Sequence, residues 1–549
     1  MTSAGHRIVE QLAACGVERA YLVPGESFLD VLDGLVDSPV RAVVCRQEGG
    51  AGFMALAEGR LTGIPGVAMV TRGPGAANAM IAVHTAHQDA TPLVLFVGLV
   101  PVADRDRFAF QEFSLEGWFG TTAKRVFTLD DPRRAAETVR EAFRIAGSGR
   151  PGPVVVGLPE DVLREDSTAP ATAPAVELAE SLTLPASFAH RLAAAERPLL
   201  VAGGDGWSGD TGARLAAWAE AVDVAIVGQW RGDDAVPNDA PAYGGWLGYG
   251  RDPRVAARLA DADLHVYVGC VRDDVDSEGY TAGLDVPTVL VLDDAEALGH
   301  AGRLDAHVRA TPAAFVAALP AADTVRGTRG PAWRHALRAD ASDWATPRPD
   351  GGTGVDLGIA FAHLRDGLPA DAVLTYGAGN ATLWGHRYLP HTHPNSLVAP
   401  RNGAMGLGVP AAVAAALVFP DRLAVAVCGD GDFLMNGQEL ATAVAAGVAP
   451  LVIVVDNGHY GTIVQHQRAH YPGRPSGTSM TNPDFGAWMR SFGGHGERLE
   501  SADDVPAALE RALAAPGPRL LHLVTDPNVS GPEGLHAPDR GDADPDEQE

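Results

Sequence analysis

Short uninterrupted runs of Val, Leu, Ile and Ala alternate along this chain with longer stretches whose apolar residues recur at helical spacing. In the first 165 residues the β-rich runs fall at 20–23, 41–45, 66–71, 93–97 and 153–157. Short apolar runs separated by helical stretches predict buried strands joined by helical crossovers in a parallel sheet. A Pro/Ala/Thr stretch at 167–175 predicts a linker. A second set of runs, at 198–202, 224–227, 264–268 and 288–292, predicts another α/β unit over about 186–325, and a Gly-, Arg- and Pro-containing segment at 326–354 follows it. The third unit, 355–530, carries runs at 423–428 and 451–455. An acidic tail, 531–549, closes the chain in DRGDADPDEQE and is expected to be solvated. The predicted class is α/β: three domains, 1–165, 186–325 and 355–530, each with a mainly parallel sheet flanked by helices. The shared alternation of the first and third suits two related domains around a different middle one.

A length of 549 residues supports this count, since one domain takes about 150 residues. The net charge of −27 argues against nucleic acid or an anionic membrane as partner. No apolar run reaches the roughly 18 residues of a membrane span, and the N-terminal MTSAGHRIVEQLAACG lacks the basic and apolar regions of a secretory signal. Cys15, Cys45, Cys270 and Cys428 are scattered without CxxC spacing. Together these predict a soluble cytoplasmic protein with reduced thiols.

The chemistry concentrates in CGDGDFLMNGQELATAVAAGVAPLVIVVDNGHYGT, residues 428–462. Asp430 ends one buried strand between Gly429 and Gly431, and the stretch 436–446 that follows is helical in character. A second strand delivers Asp456, Asn457 and Gly458, with Asn457 lying 27 positions after Asp430. That interval fits a strand-helix-strand crossover bringing both ends to one edge of a parallel sheet. A carboxylate, an amide oxygen and a nearby carbonyl suit octahedral Mg2+, which keeps positions for water and phosphate oxygens. The ligand implied is a diphosphate. Either half alone would be an ordinary turn.

This segment resembles the metal-diphosphate signature of the thiamine-diphosphate enzymes, in which GDG precedes an Asn pair. The resemblance implies Mg2+ ligands at Asp430, the Asn457 side chain and the His459 main-chain oxygen, with Gly429, Gly431, Tyr460 and Gly461 contributing to cofactor binding. One departure is Asp456, where the family has the first Asn. The segment CRQEGGAGFMALAEGRLTG around Glu48 resembles the pyrimidine-binding domain of acetolactate synthases. So do Val23-Pro24-Gly25, TRGPGAANA at 71–79, Phe110-Gln111-Glu112, GAMGLG at 403–408 and YPGR at 471–474, so that the resemblance covers nearly the whole chain.

Several roles follow from that resemblance. Thiamine diphosphate is deprotonated by its own imino group, and a carboxyl such as Glu48 beside the far ring nitrogen favours the imino tautomer. Met405 would be the apolar wedge that bends the cofactor, with the Gly403 carbonyl accepting from its amino group, and Pro24 would lie beside it. Glu48 and Asp430 sit in different domains. The resemblance therefore implies a homodimer at least, or a homotetramer, with the active site between subunits.

The resemblance implies decarboxylation of a 2-oxo acid followed by transfer to a carbonyl acceptor. Ile463 stands where pyruvate-type decarboxylases place a protonating Glu, no His pair lies near Gln111, and Thr71 replaces the His of benzoylformate-type enzymes. Gln111 could orient the bound intermediate, and His466, where acetolactate synthases have a Trp, could act as acid or base. His459, His466 and His470 are expected near the opening, as a polar rim rather than a metal site. An acid at 463 is expected to carry a burial cost. The resemblance leaves FAD binding open, because the flavin-contacting Arg of the family string is shifted by one position to Arg272. Two alternatives stand beside the transferase: a lyase releasing an aldehyde, and a cofactor-binding homologue without turnover.

Overall fold

The structure, a computed structural model, describes residues 2–173, 182–204, 206–532 and 534–535. The end of the expected linker and residues 536–549 of the expected tail lie outside the described residues. Three six-stranded sheets form along the chain, and every strand pair within them is parallel. The α/β class with three sheets is as the apolar runs predict, because strands buried on both faces need helices on both.

The first sheet contains β1 (Arg19–Leu22), β2 (Arg41–Val44), β3 (Gly66–Val70), β4 (Leu93–Leu99), β5 (Arg125–Thr128) and β6 (Pro153–Pro159), in the order β2-β1-β3-β4-β6-β5. The second contains β7 (Pro198–Ala202), β8 (Ala225–Gly228), β9 (Tyr243–Trp246), β10 (Leu264–Val268), β11 (Thr288–Val291) and β12 (Ala306–Val308), ordered β12-β11-β10-β7-β8-β9. The third contains β13 (Val373–Tyr376), β14 (Leu397–Val398), β15 (Ala424–Gly429), β16 (Leu451–Asp456), β17 (His495–Leu499) and β18 (Arg519–Val524), ordered β14-β13-β15-β16-β18-β17. Numbered from its own first strand, the third sheet repeats the order of the first. The middle sheet instead has the 3-2-1-4-5-6 order of doubly wound nucleotide-binding folds.

The first and third units share one core. The helix Glu48–Thr62 packs on the helix Gly408–Val418, whose residues through Leu417 are all buried. Small residues allow this. A Cβ at Gly52 would stand 2.5 Å from that of Ala82, so the helices Glu48–Thr62 and Gly73–Asp89 meet at a distance only glycine permits.

Two expectations need correction. The segment 326–354 holds the helix Ala332–Trp344, which packs on β9 with Leu337 fully buried. Trp333, Leu337, Ala341 and Trp344 recur there at helical spacing, in a stripe interrupted by charged and small residues. The helix after β15 begins at Asp430 rather than 436, running Asp430–Asn436, and a short 3-10 turn separates it from the helix Leu440–Ala446.

Candidate functional site

Register brings the two motif halves together. Gly429 pairs with Val455 across β15 and β16, so Asp430 and Asp456 leave adjacent strands side by side. Asp430 Oδ1 accepts from its neighbour Gly431 N–H at 2.8 Å, and Oδ2 accepts from Gly458 N–H at 3.0 Å. Asn482 Nδ2 donates to both carboxylates, at 2.7 Å to Asp430 Oδ2 and 2.8 Å to Asp456 Oδ1. Asp456 Oδ2 meets His522 Nε2 at 2.8 Å. Burial, with Asp456 next in effect among the groups that raise it, pushes the Asp430 carboxyl up to about 7. Asp456 is held below the usual carboxylate range, despite burial, by His522, Asn482 and Gly458.

Asn457 Oδ1 accepts from His459 N–H at 3.0 Å, and the His459 carbonyl accepts from Gly461 N–H at 2.8 Å. A Cβ at Gly431 would stand 2.7 Å from the Tyr460 ring, so this backbone must be glycine to pass. A desolvated carboxylate beside a second one, next to an amide oxygen and a backbone carbonyl, is a donor set that a hard dication would satisfy. Among the described residues no group of three His, Cys, Asp or Glu side chains is placed to hold a metal, so a metal here must use the Asn457 and backbone oxygens.

A cavity of about 1530 Å3 opens over this edge. That exceeds the ~300–1,000 Å3 of a usual ligand pocket, leaving room for a cofactor and substrates together. Gly429, Asp430, Gly431 and Asn457 line it, as do His459, Tyr460 and Gly461. Gly403 and Met405 face it from the neighbouring loop, and Ile463 and His466 from the helix Gly461–His470. His466 stacks on His470 with ring centroids 6.5 Å apart. His470 is not among the lining residues.

Glu48, Pro24 and Gln111 do not line that cavity. They gather at the C-terminal edge of the first sheet. Glu48 is the first residue of its helix, half-buried, and Asn78 Nδ2 donates to its Oε2 at 2.9 Å. Gly75 passes close enough that a Cβ there would lie 3.4 Å from Glu48 Oε1. Gln111 has φ +63, and its carbonyl accepts from Gly73 N–H at 3.2 Å. Pro24 is exposed beside Gly25, whose missing side chain admits Thr71.

The structure adds residues that sequence reasoning missed. Glu439, fully buried in the third unit, accepts from Arg46 and Gln47 N–H at 3.0 and 2.9 Å. It thereby holds the chain entering the helix that Glu48 begins, whose first turn is capped by Gln47 Oε1 accepting from Gly50 N–H at 3.0 Å. Asp432 accepts from Ala378 and Gly406 N–H at 2.9 and 2.8 Å, tying the Met405 loop to the metal motif, and burial pushes its carboxyl up. Asn482 and His522 complete the list. Each reaches the site across tens of residues, so no local spacing signals it.

Arg272 is turned away from the cavity. It is fully buried in the middle unit, where its guanidinium meets His265 Nδ1 at 2.8 Å, Thr288 Oγ1 at 2.6 Å and the Ala301 carbonyl at 3.0 Å. It offers no cation to a flavin in the cleft.

A split site, with a glycine-flanked carboxylate edge in one sheet and a second carboxyl edge in its topological twin, is what the resemblance to the thiamine-diphosphate enzymes implies. Three family models match in the same order as the sheets: the N-terminal TPP binding domain of thiamine pyrophosphate enzymes over residues 2–117, the central domain over 186–319 and the C-terminal TPP binding domain over 377–523. The chain is 31% identical over 525 residues to the acetolactate synthase isozyme 2 large subunit of Escherichia coli K12, covering 94% of this chain and 95% of that one. It is 30% identical to a probable chloroplastic acetolactate synthase 2 of Oryza sativa subsp. japonica, covering 94% and 82%, and 28% identical to a probable acetolactate synthase large subunit of Methanocaldococcus jannaschii, covering 95% and 91%. The chain belongs to the thiamine pyrophosphate enzyme family.

Proposed function

We propose that this enzyme decarboxylates a 2-oxo acid and joins the remaining fragment to a second carbonyl, as an acetolactate synthase does. The observation that carries the reading is the single cavity that gathers Asp430, Asn457 and Met405 and has Ile463, not an acid, on its wall. The similarity to acetolactate synthases along 94% of the chain supports it.

Mg2+ would be held by Asp430, the Asn457 side chain and the His459 carbonyl, and the diphosphate by the backbone of Gly429, Gly431, Tyr460 and Gly461. Thiamine diphosphate, when bound, supplies an electron sink at its thiazolium ring. Met405 and the Gly403 carbonyl would orient the cofactor, and Pro24, on the edge that carries Glu48, would contact it from another copy. Glu48 holds and moves the proton at its carboxyl, and Asn78 fixes the direction of that carboxyl. Gln111 orients substrate, and His466 is an acid or base at the cavity wall. Ile463 supplies no proton, which favours transfer over aldehyde release.

Because Glu48 and Asp430 of one chain face different spaces, the active unit is a homodimer or homotetramer in which one copy's Glu48 completes another copy's cavity. The four cysteines are unpaired, in keeping with a cytoplasmic enzyme, and no helix among the described residues is long and apolar enough to cross a membrane. Arg272, turned into the middle unit, is not the residue that would contact FAD.

Incubation with a panel of 2-oxo acids, Mg2+ and thiamine diphosphate tests the reading. CO2 release that requires both additions supports it. Tight cofactor binding with no CO2 from any member would favour the homologue without turnover.

A further inference from the structure

The loop that carries Met405 is not held by its own domain alone. Asp89 ends the helix Gly73–Asp89 of the first unit, and its side chain is 1% exposed. A carboxylate at a helix C-terminus is disfavoured by the helix dipole, so strong partners must hold it there. Both oxygens accept main-chain N–H groups of the third unit, Oδ2 from Arg401 and Oδ1 from Asn402, each at 3.1 Å. The Arg401 guanidinium donates back to the Asp89 carbonyl at 2.7 Å. One turn earlier, Thr85 Oγ1 accepts from Asn402 Nδ2 at 3.1 Å, and Asn402 Oδ1 in turn accepts from Ala404 N–H at 3.1 Å.

Beyond these ties the chain turns through Gly403, at φ +73, and reaches Met405. The next residue, Gly406, donates to Asp432 at 2.8 Å. Met405 is therefore slung between two buried carboxylates, Asp89 in the first unit and Asp432 in the helix that begins with Asp430.

We propose that Asp89, aided by Thr85, is a positioning residue that sets where Met405 enters the cofactor cavity. The proposal rests on the proposed function for the meaning of Met405, but not for the clamp. The pairing is specific to a carboxylate. Asn at 89 would present one acceptor and one NH2 donor to two N–H groups, losing one bond and opposing the other.

Hydrogen exchange on the cofactor-free protein reads the clamp directly. In Asp89→Asn, the amides of Arg401 and Asn402 should lose protection while Gly406 keeps its own. A merely structural role would instead lower protection across the fold. Turnover should fall about ten- to a hundredfold, the scale of a small misplacement near the chemistry, and calorimetric affinity for thiamine diphosphate should weaken. In a double-mutant cycle, Asp89→Asn should add almost nothing to Met405→Ala, yet multiply with Ile463→Ala. If Asp89→Asn does not fold, Thr85→Val takes its place and should expose the Ala404 amide, which the Asn402 side chain holds. Unchanged exchange at Arg401 and Asn402 in Asp89→Asn, unchanged exchange at Ala404 in Thr85→Val, or full multiplication with Met405→Ala overturns the proposal. Failure of the wild-type protein to bind thiamine diphosphate would instead overturn the proposed function, leaving the exchange result to judge the clamp.

Discussion

His522 and Asp456 form a buried pair, Nε2 to Oδ2 at 2.8 Å, one residue before the proposed ligand Asn457. His522 is 1% exposed at its side chain, so nothing from solvent can replace it. Because this chain has Asp where the resemblance implies Asn, it carries an extra carboxyl beside Asp430, and His522 Nε2 is a hydrogen-bond partner of that carboxyl. His522→Ala should therefore cost about 1–3 kcal/mol of stability, as expected when a buried acceptor loses one hydrogen-bond partner. The double variant His522→Ala, Asp456→Asn should recover much of that loss. Chemical denaturation checks both, and equal stability of wild type and His522→Ala would remove the pairing from the account.

Asp430 predicts a pH dependence with a defined sign. Its carboxyl is pushed up to about 7, so the metal-free fold binds this proton more tightly than the unfolded chain does. The stability linked to the group is complete at low pH and is lost as pH rises from the ordinary carboxylate range toward 7. Mg2+ competes with the same proton. Its affinity should fall about tenfold per pH unit below 7 and level off above it. Asp430→Ala and Asn457→Ala should lose cofactor affinity before they lose fold. Calorimetric Mg2+ titration across this range checks the slope, and wild-type cofactor affinity in both variants would rule out the metal assignment.

Glu48→Gln should retain thiamine diphosphate yet lose turnover by about 10²–10⁴-fold, because an amide cannot exchange the proton. Asn78→Leu, which leaves the carboxyl in place without its 2.9 Å partner, should lose less. Exchange of the thiazolium proton measures both. Near wild-type exchange in Glu48→Gln would take the role away from Glu48.

Ile463→Glu should move product toward free aldehyde while sparing cofactor binding. Ile463 is 50% exposed, so the burial cost expected from sequence does not apply, and stability should stay within about 0.5 kcal/mol. Product analysis by NMR alongside thermal melting separates the two effects.

What was legible in the sequence follows from range. Asp430 and Asn457 were found because one crossover separates them, and the strands that carry them are buried on both faces. The edge strands β5, β9, β12, β14 and β17 were not, since a strand paired on one side only needs no continuous apolar run, and the interior strands β13 and β18 were missed as well. Arg125 and Thr128 are exposed in β5, and β9 contains two glycines. Asp89, Glu439, Asn482 and His522 act on partners far along the chain, and each resembles an ordinary polar residue until the fold closes. Arg272 was legible as displaced, but only packing reveals that it turns into the core.

The most direct test of the central claim is the product made from the best 2-oxo acid at high acceptor concentration, quantified together with the CO2 released. Carboligation predicts a 2-hydroxy ketone in near-equal amount to the CO2, with little aldehyde. Mainly free aldehyde, with negligible ligated product, would contradict the transferase reading and put a lyase in its place.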